Sequence, residues 1–306
     1  MILDARQCGK RVIVLGGTGS IGRYVLRELV RRGHDVVALA RSDMSSGKVV
    51  EQGAKPLAGD IEAPERWIDT LPPLDAVVHM ACDFDSAMGD VESRLLDSLL
   101  PHLIGGQNKP KFIYTGGCWL FGATGDSVAT EATSFRPLPA FAWMIPNLQR
   151  VFDTEGIDPI VIHPAMAYEA GGGVFRHFVS DAVEHDAIRV VGSENVRWPL
   201  VHCEDLASLY VLALESRFSR ESYIGAAIAG FPVGRIARAI ERRFGVGDRK
   251  PQSISADAAA AEFGEWARGY AMDQQLSGEK ARRDLGWRPI HLDPVSDMST
   301  ADSPIA

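Results

Sequence analysis

Residues 11–22 read RVIVLGGTGSIG, and the helix-patterned run IGRYVLRELVRRG continues from them without a break. The apolar stretch ending in glycines predicts a buried strand. Ile21, Val25, Leu26, Leu29 and Val30 recur at helical spacing until Gly33 stops the pattern. A strand, a glycine turn and an amphipathic helix in immediate succession point to the opening of a βαβ unit with a phosphate-binding turn. Gly16 permits the tight turn, Gly19 lets the backbone approach a pyrophosphate, and Gly22 lets the helix pack closely on the strand. The helix N-terminus then offers its N–H groups to phosphate charge. With Thr18, Ser20 and Ile21, these glycines are expected to bind a dinucleotide.

Short apolar runs recur downstream. DVVALA, KPLAGD, DAVVHMA, FIYTGG and PIVIHPA predict further strands, with helical stretches around 62–70, 84–105 and 146–155. Apolar strands alternating with amphipathic helices mean an α/β fold built on a doubly wound parallel Rossmann sheet. After about residue 170 the rhythm changes. GGGVF reads as a loop, and VRWPLVHCEDLASLYVLALES as a loop or strand entering a helix. VGRIARAIERRFG is another amphipathic helix, and KARRDLGWRP a short one ended by Gly286. The expected division is a dinucleotide-binding domain over 11–170, whose sheet has room for later strands. A smaller C-terminal substrate-binding lobe over 171–290 follows, with flexible ends at 1–10 and 292–306.

Hydrophobic residues make up 46% of the 306, enough for a sizeable core. Forty acids against 32 bases give a net charge of −8, which argues against a nucleic-acid partner. Arg31-Arg32 and Arg242-Arg243 read as solvated helix faces. Cys8, Cys82, Cys118 and Cys203 show no CxxC spacing, so neither a zinc ribbon nor a dithiol motif is expected. Scattered thiols suit a reducing cytoplasm. The start, MILDARQCGKR, lacks an apolar signal core, and no stretch approaches the roughly 18 apolar residues of a membrane helix. The expectation is a cytoplasmic monomer or homodimer with no membrane partner.

NAD-binding chains usually end the second strand with an acid that holds the ribose 2′-hydroxyl. Here Arg41 follows DVVALA. An arginine pairs with the 2′-phosphate that an acid would repel, and Arg23 stands close enough in sequence to assist. The expected cofactor is therefore NADPH.

Over roughly residues 11–290 these landmarks resemble the extended short-chain dehydrogenase/reductases, the epimerase/dehydratase-like branch. GGTGSIG is similar to that family's nucleotide loop, and GDI at 59–61 to its adenine-side turn. VVHMAC at 77–82 resembles its fourth strand, FIYTGGCWLFG at 112–122 its serine-rich fifth strand, and HPAMAY at 163–168 its nicotinamide-side segment. VHCEDLA at 201–207 and SGEKARRDLGWRP at 277–289 resemble its C-terminal landmarks. The resemblance implies cofactor contacts from Asp60, Ile61, Met80, Ala81, Cys82, Thr115, His163, Pro164, Ala165 and Met166.

The family's catalytic set is a Ser or Thr, a Tyr and a Lys. The Tyr donates a proton to the substrate carbonyl, the Lys lowers its pKa and holds the ribose, and the Ser orients the carbonyl. Aligned on Gly122, the serine position falls on Gly117; the Tyr and Lys positions fall on Trp143 and Asn147 in FAWMIPNLQR. Tyr24, Tyr114, Tyr168, Tyr210, Tyr223 and Tyr270 are all the tyrosines, and none has a lysine four residues later. Pro146 adds a helix that starts late or kinks. Asn147 retains the capacity to hydrogen-bond the ribose.

Two functions follow. One is an atypical ketoreductase without the triad, resembling those of aromatic polyketide (antibiotic) biosynthesis, taking its proton from water or from a phenol beside the substrate carbonyl. The other is a non-catalytic NADP(H) sensor or scaffold resembling the nitrogen-regulator NmrA-like members. A further epimerase-type activity leans on the missing base. Thr115, Cys118, Trp119 and Trp143 are the substrate-pocket candidates, with Phe121 at the pocket or in the core. Cys118 has no His or Asn constellation and reads as a small packing residue. His163 stands where the family often has Arg, and His202 is expected to brace the C-terminal lobe. Asp83 and Asp85 follow the fourth strand as candidate functional carboxylates, and no catalytic metal is expected.

Overall fold

The computed structural model describes residues 9–82, 87–106, 109–170, 172–185, 187–245 and 251–299. The predicted strands form as β1 (Arg11–Leu15), β2 (Asp35–Ala40), β3 (Lys55–Ala58), β4 (Ala76–His79), β5 (Lys111–Thr115) and β6 (Asp158–Pro164). Among them lie α1 (Gly22–Arg31), α2 (Asp43–Glu51), α3 (Met88–Ile104) and α4 (Met144–Asp153). The helix expected around 62–70 is instead two 3₁₀ turns, Pro64–Arg66 and Ile68–Thr70. Pro64 is tolerated at the first position, but Pro72-Pro73 stop any helix within two turns, and the segment stays in the tighter 3₁₀ form.

The chain continues through β7 (Met166–Glu169), β8 (Gly172–Gly173), α5 (Arg176–His185), β9 (Arg189–Val191) and β10 (Arg197–His202). Then come α6 (Cys203–Glu215), β11 (Glu221–Gly225), β12 (Ile228–Pro232), α7 (Val233–Phe244), β13 (Gln252–Ile254), α8 (Ala256–Phe263), α9 (Glu279–Leu285) and α10 (Pro294–Ser299). GGGVF is not all loop: Gly173, at φ +60°, bends the chain so that β8 pairs antiparallel with β7. Nor is the stretch after 292 a loose end throughout. Asp293 Oδ1 accepts from the amides of Val295 and Ser296, and Met298 is buried at 1% exposure, so Pro294–Ser299 form a helix.

A doubly wound sheet of seven strands runs in the order β11-β6-β5-β4-β1-β2-β3. β1 pairs in parallel with both β2 and β4, β2 with β3, and β4 with β5. The winding reverses between β1 and β4, the switch point outside whose strand ends such sheets bind ligands. Val12, Ile13, Val14 and Leu15 of β1 are fully buried, as are Val25, Leu26 and Leu29 of α1. That is why the strand reads as an unbroken apolar run while the helix reads as a stripe.

Contacts group the chain into two units, each made of three stretches. The first holds residues 1–114, 147–161 and 213–221; the second holds 115–146, 162–212 and 222–306. The second unit has its own four-stranded sheet, β12-β10-β7-β8, and the pair β13-β9. Among the described residues no helix is long and apolar enough to cross a membrane.

Candidate functional site

In the first unit the glycine loop joins β1 to α1. Gly16 has φ +86°, and a Cβ there would lie 2.6 Å from the Ala81 nitrogen. A Cβ on Gly22 would lie 1.9 Å from the Gly16 carbonyl oxygen. Neither position admits a side chain, so the loop folds flat against the end of β4. Gly19 donates to the Gly16 carbonyl at 3.2 Å, and Arg23 to that of Gly19 at 3.1 Å. The α1 N-terminus has no side-chain cap at Ile21 and no acid in its first turn. Thr18 and Ser20 complete a cradle at the positive helix end, which fits a dinucleotide's pyrophosphate.

The neighbouring strand ends complete this edge of the first unit. Gly59 donates to the Ala40 carbonyl at 3.1 Å, which sets the GDI turn beside the end of β2. Arg41 there is exposed. Asp60 fixes its own turn by accepting from the Glu62 amide at 3.1 Å, its carbonyl takes the Trp67 indole N–H at 2.8 Å, and Ile61 follows. Met80 donates to the Leu15 carbonyl at 2.9 Å, bringing Met80 and Ala81 against the glycine loop, and Cys82 follows with its Sγ 3.8 Å from Met88 Sδ. Asn147 lies in the first turn of α4 and is 6% exposed. Asp83, Asp85 and Cys8 lie outside the described residues.

The second unit carries the other candidates. Thr115 Oγ1 shares a hydrogen bond with the Tyr210 hydroxyl at 2.7 Å. Gly116 donates to the Ile162 carbonyl at 2.8 Å, which seats it against His163. His163 is buried between the rings of Phe121 and Phe135, at 5.1 and 5.6 Å. Burial lowers its pKa to about 4, against the opposing pull of a hydrogen bond with the Gly117 backbone. Its Nδ1 has no hydrogen-bond partner among the described residues. Pro164 ends β6, Ala165 donates to the Gly225 carbonyl at 3.1 Å, and Met166 Sδ is 3.8 Å from Cys118 Sγ. Burial pushes the Cys118 thiol up to about 12, so it stays protonated and is no nucleophile.

Around Gly117 the surroundings open out: nothing lies within 4 Å of where its Cβ would be. Two residues on, Trp119 enters an aromatic group with Phe141, Tyr270 and Trp266, at centroid distances of 5.4, 5.8 and 6.4 Å. Trp119 and Trp266 are both partly exposed, so this group presents ring faces. Trp143 is also partly exposed and immediately precedes α4.

Several groups escaped the sequence reading. Gln274, 1% exposed, donates to the Cys118 and Gly122 carbonyls at 2.8 and 2.7 Å and so fixes the turn after β5. Nothing local marks it, because its partners are some 150 residues away in sequence. In the first unit His79 Nε2 stands 3.1 and 3.0 Å from the two Glu92 oxygens, and the Tyr114 hydroxyl donates to Glu92 at 2.8 Å. Burial raises the Glu92 pKa, but His79 and Tyr114 outweigh it and the net shift is downward. A lone acid on the apolar stripe of α3 was the available signal. Finally, His202, Glu204 and His291 place their ligating atoms within 4.8 Å of one another.

This cradle at a switch point defines a dinucleotide-binding protein of the doubly wound class. The profile of the NAD dependent epimerase/dehydratase family matches residues 12–224, and the chain belongs to that family, whose members are NAD(P)-dependent oxidoreductases. An uncharacterized Schizosaccharomyces pombe protein is 27% identical over 298 residues, covering 95% of this chain and 98% of its own. A Stigmatella aurantiaca ketoreductase for a 4-hydroxy-2-methyl-3-oxo-4-farnesyl-3,4-dihydroquinoline-1-oxide is 37% identical over 82 residues, covering 27% of this chain and 25% of its own. Among solved structures, the dTDP-glucose 4,6-dehydratase DesIV of Streptomyces venezuelae, with NAD bound, superposes with a TM-score of 0.79 at 17% identity, covering 94% of each chain. A human epimerase family protein with NADPH does so with a TM-score of 0.75 at 17% identity, covering 94% of this chain and 98% of its own.

Proposed function

We propose that this protein is an NADPH-dependent ketoreductase that reduces a ketone on a flat aromatic substrate to the alcohol. The observation that carries the reading is the group Trp119, Trp266, Phe141 and Tyr270 beside the open position at Gly117. Ring faces two residues from the family's serine position suit an aromatic ketone better than a sugar. The short match to a ketoreductase of a dihydroquinoline-1-oxide supports reduction of a ketone.

The bound dinucleotide supplies the hydride, and this chain's residues do the rest. Gly16, Gly19 and Gly22 shape a loop that brings the N–H groups of the α1 N-terminus to the pyrophosphate, and Arg41 pairs with the 2′-phosphate. Asn147 replaces the family lysine and contributes hydrogen bonding without charge. Thr115, held by Tyr210, is the hydroxyl that orients the ketone oxygen. Trp143 carries only an indole N–H, which is no general acid at ordinary pH. Hydride adds to the carbonyl carbon, and the oxygen takes its proton from an adjacent phenol of the substrate or from water. A phenol already hydrogen-bonded to the ketone leaves the protein little beyond positioning to supply.

The test is NADPH absorbance decay with aromatic ketones that carry or lack a phenol beside the carbonyl. Faster turnover of the phenol-bearing ketones is expected. NADPH binding without turnover on any of them would replace this reading with that of a sensor or scaffold.

A further inference from the structure

Met80 and Ala81 have almost no room against the glycine loop. A Cβ on Gly16 would lie 2.6 Å from the Ala81 nitrogen and 2.8 Å from the Met80 carbonyl carbon. The Met80 amide ties this segment to β1 through the Leu15 carbonyl. From the side of α3 it is held by the residue just before it. His79 ends β4, and its Nε2 reaches both Glu92 oxygens, at 3.1 and 3.0 Å. Facing a carboxylate, that nitrogen is the donor. Tyr114 stands opposite His79 in the β4–β5 register and donates its hydroxyl to the same carboxylate at 2.8 Å. The two rings meet edge to face at 5.5 Å. One buried carboxylate on α3 thus grips two adjacent strands near their ends, all within the first unit.

Stability alone does not explain this trio. Glu92 interrupts a buried stripe of Val91, Leu95, Leu96 and Leu99. Replacing a buried hydrogen-bonded acid and its partners by apolar side chains of similar shape often costs no stability. His79 Nδ1 is also buried with no hydrogen-bond partner among the described residues, a cost that an apolar side chain would not carry. Apolar packing does not supply direction, and the trio does. Two donors aimed at one carboxylate set the His79 side chain in a narrow geometry, and with it the start of the Met80–Ala81 segment.

We propose that Glu92 is a positioning residue for the dinucleotide: through His79, and with Tyr114 as its second donor, it holds Met80 and Ala81 where the glycine loop can receive the pyrophosphate. Glu92 acts from behind the strand ends, on a loop that NADPH and NADH share. Its loss therefore weakens both dinucleotides alike, whereas the loss of Arg41 weakens NADPH. The inference rests on the dinucleotide site of the function proposed above and is independent of the ketone.

The experiment measures dissociation constants of NADPH and NADH on the full chain by fluorescence titration, beside the melting temperature of each variant. The apolar triple variant His79→Leu, Glu92→Met, Tyr114→Phe should melt close to the wild type. Both of its dissociation constants should rise about tenfold, within what a residue out of ligand contact can contribute. His79→Gln keeps a donor in reach of Glu92 and should bind both dinucleotides nearly as the wild type does. Val91→Ala, a cavity on the same helix, should lower the melting temperature and leave both constants unchanged. Wild-type affinity in the folded triple variant overturns the proposal. So does a loss confined to NADPH, or an equal loss in Val91→Ala or His79→Gln. Should the triple variant fail to fold, Glu92→Gln decides in its place, because its amide turns an N–H₂ toward one of the two donors. Ketone turnover enters none of these measurements, so failure here is distinct from failure of the ketoreductase reading.

Discussion

Gly116 and His163 compete for the same space: a Cβ on Gly116 would lie 2.4 Å from His163 Nδ1. The next glycine differs, for nothing lies within 4 Å of the Cβ position of Gly117. Gly116→Ser is therefore expected to cost about 1–3 kcal/mol through overpacking. Gly117→Ser, at φ −166°, should cost almost nothing. Melting temperatures of the two variants check the contrast, and equal losses would show that the buried ring yields easily.

Burial pushes both His163 and His177 to about 4, below their ordinary 6.5. The unfolded chain takes up protons near pH 6.5 that the folded protein refuses until about pH 4. The stability held by these neutral rings is thus complete above 6.5 and is lost as pH falls toward 4. The slope is at most about 1.4 kcal/mol per pH unit for each ring. Denaturant midpoints across this range should fall with acid, and His163→Gln should flatten the fall.

Arg41 is exposed at the end of β2, with no acid at that strand end. Arg41→Ala should weaken NADPH by roughly 10–100-fold, the worth of a charge-assisted contact, and leave NADH nearly unchanged. Dissociation constants for both cofactors decide this. Equal effects on the two would remove the 2′-phosphate assignment.

Gly269 gives Trp119 its room, since a Cβ there would lie 2.3 Å from the indole. Gly269→Ala displaces that ring without touching its chemistry. For an aromatic ketone KM should rise about tenfold, with NADPH affinity unchanged. An unchanged KM would mean that the substrate does not use this face.

The strands and the glycine loop were legible because burial on both faces and a phosphate cradle write local signals: β1 is five residues, and Gly16 and Gly22 sit within one turn. The stretch at 62–70 differs because Pro72-Pro73 close it within two turns, too short for an α-helix to establish its ladder. Helix α4 begins at Met144, so Pro146 falls in its first turn, where its missing N–H costs nothing. Trp119 was visible as a flat apolar side chain, but Trp266 and Tyr270 meet it from nearly half the chain away. His202 and His291 likewise converge only once the chain has folded. Spacing in sequence carries no record of such meetings.

Asp205 is the acceptor that gathers Trp287, Ile290 and His291. A ribosome delivers those donors more than 80 residues after Asp205, whose carboxylate takes the Ile290 and His291 amides and whose carbonyl takes the Trp287 indole. Through that interval the acid, 5% exposed in the finished fold, must remain solvated, and the start of α6 must stay open to water. This corner of the second unit therefore closes only after residues 287–291 are made. A chain that ends before residue 287 lacks these donors and leaves the start of α6 open to water, a form that cellular quality control can act on.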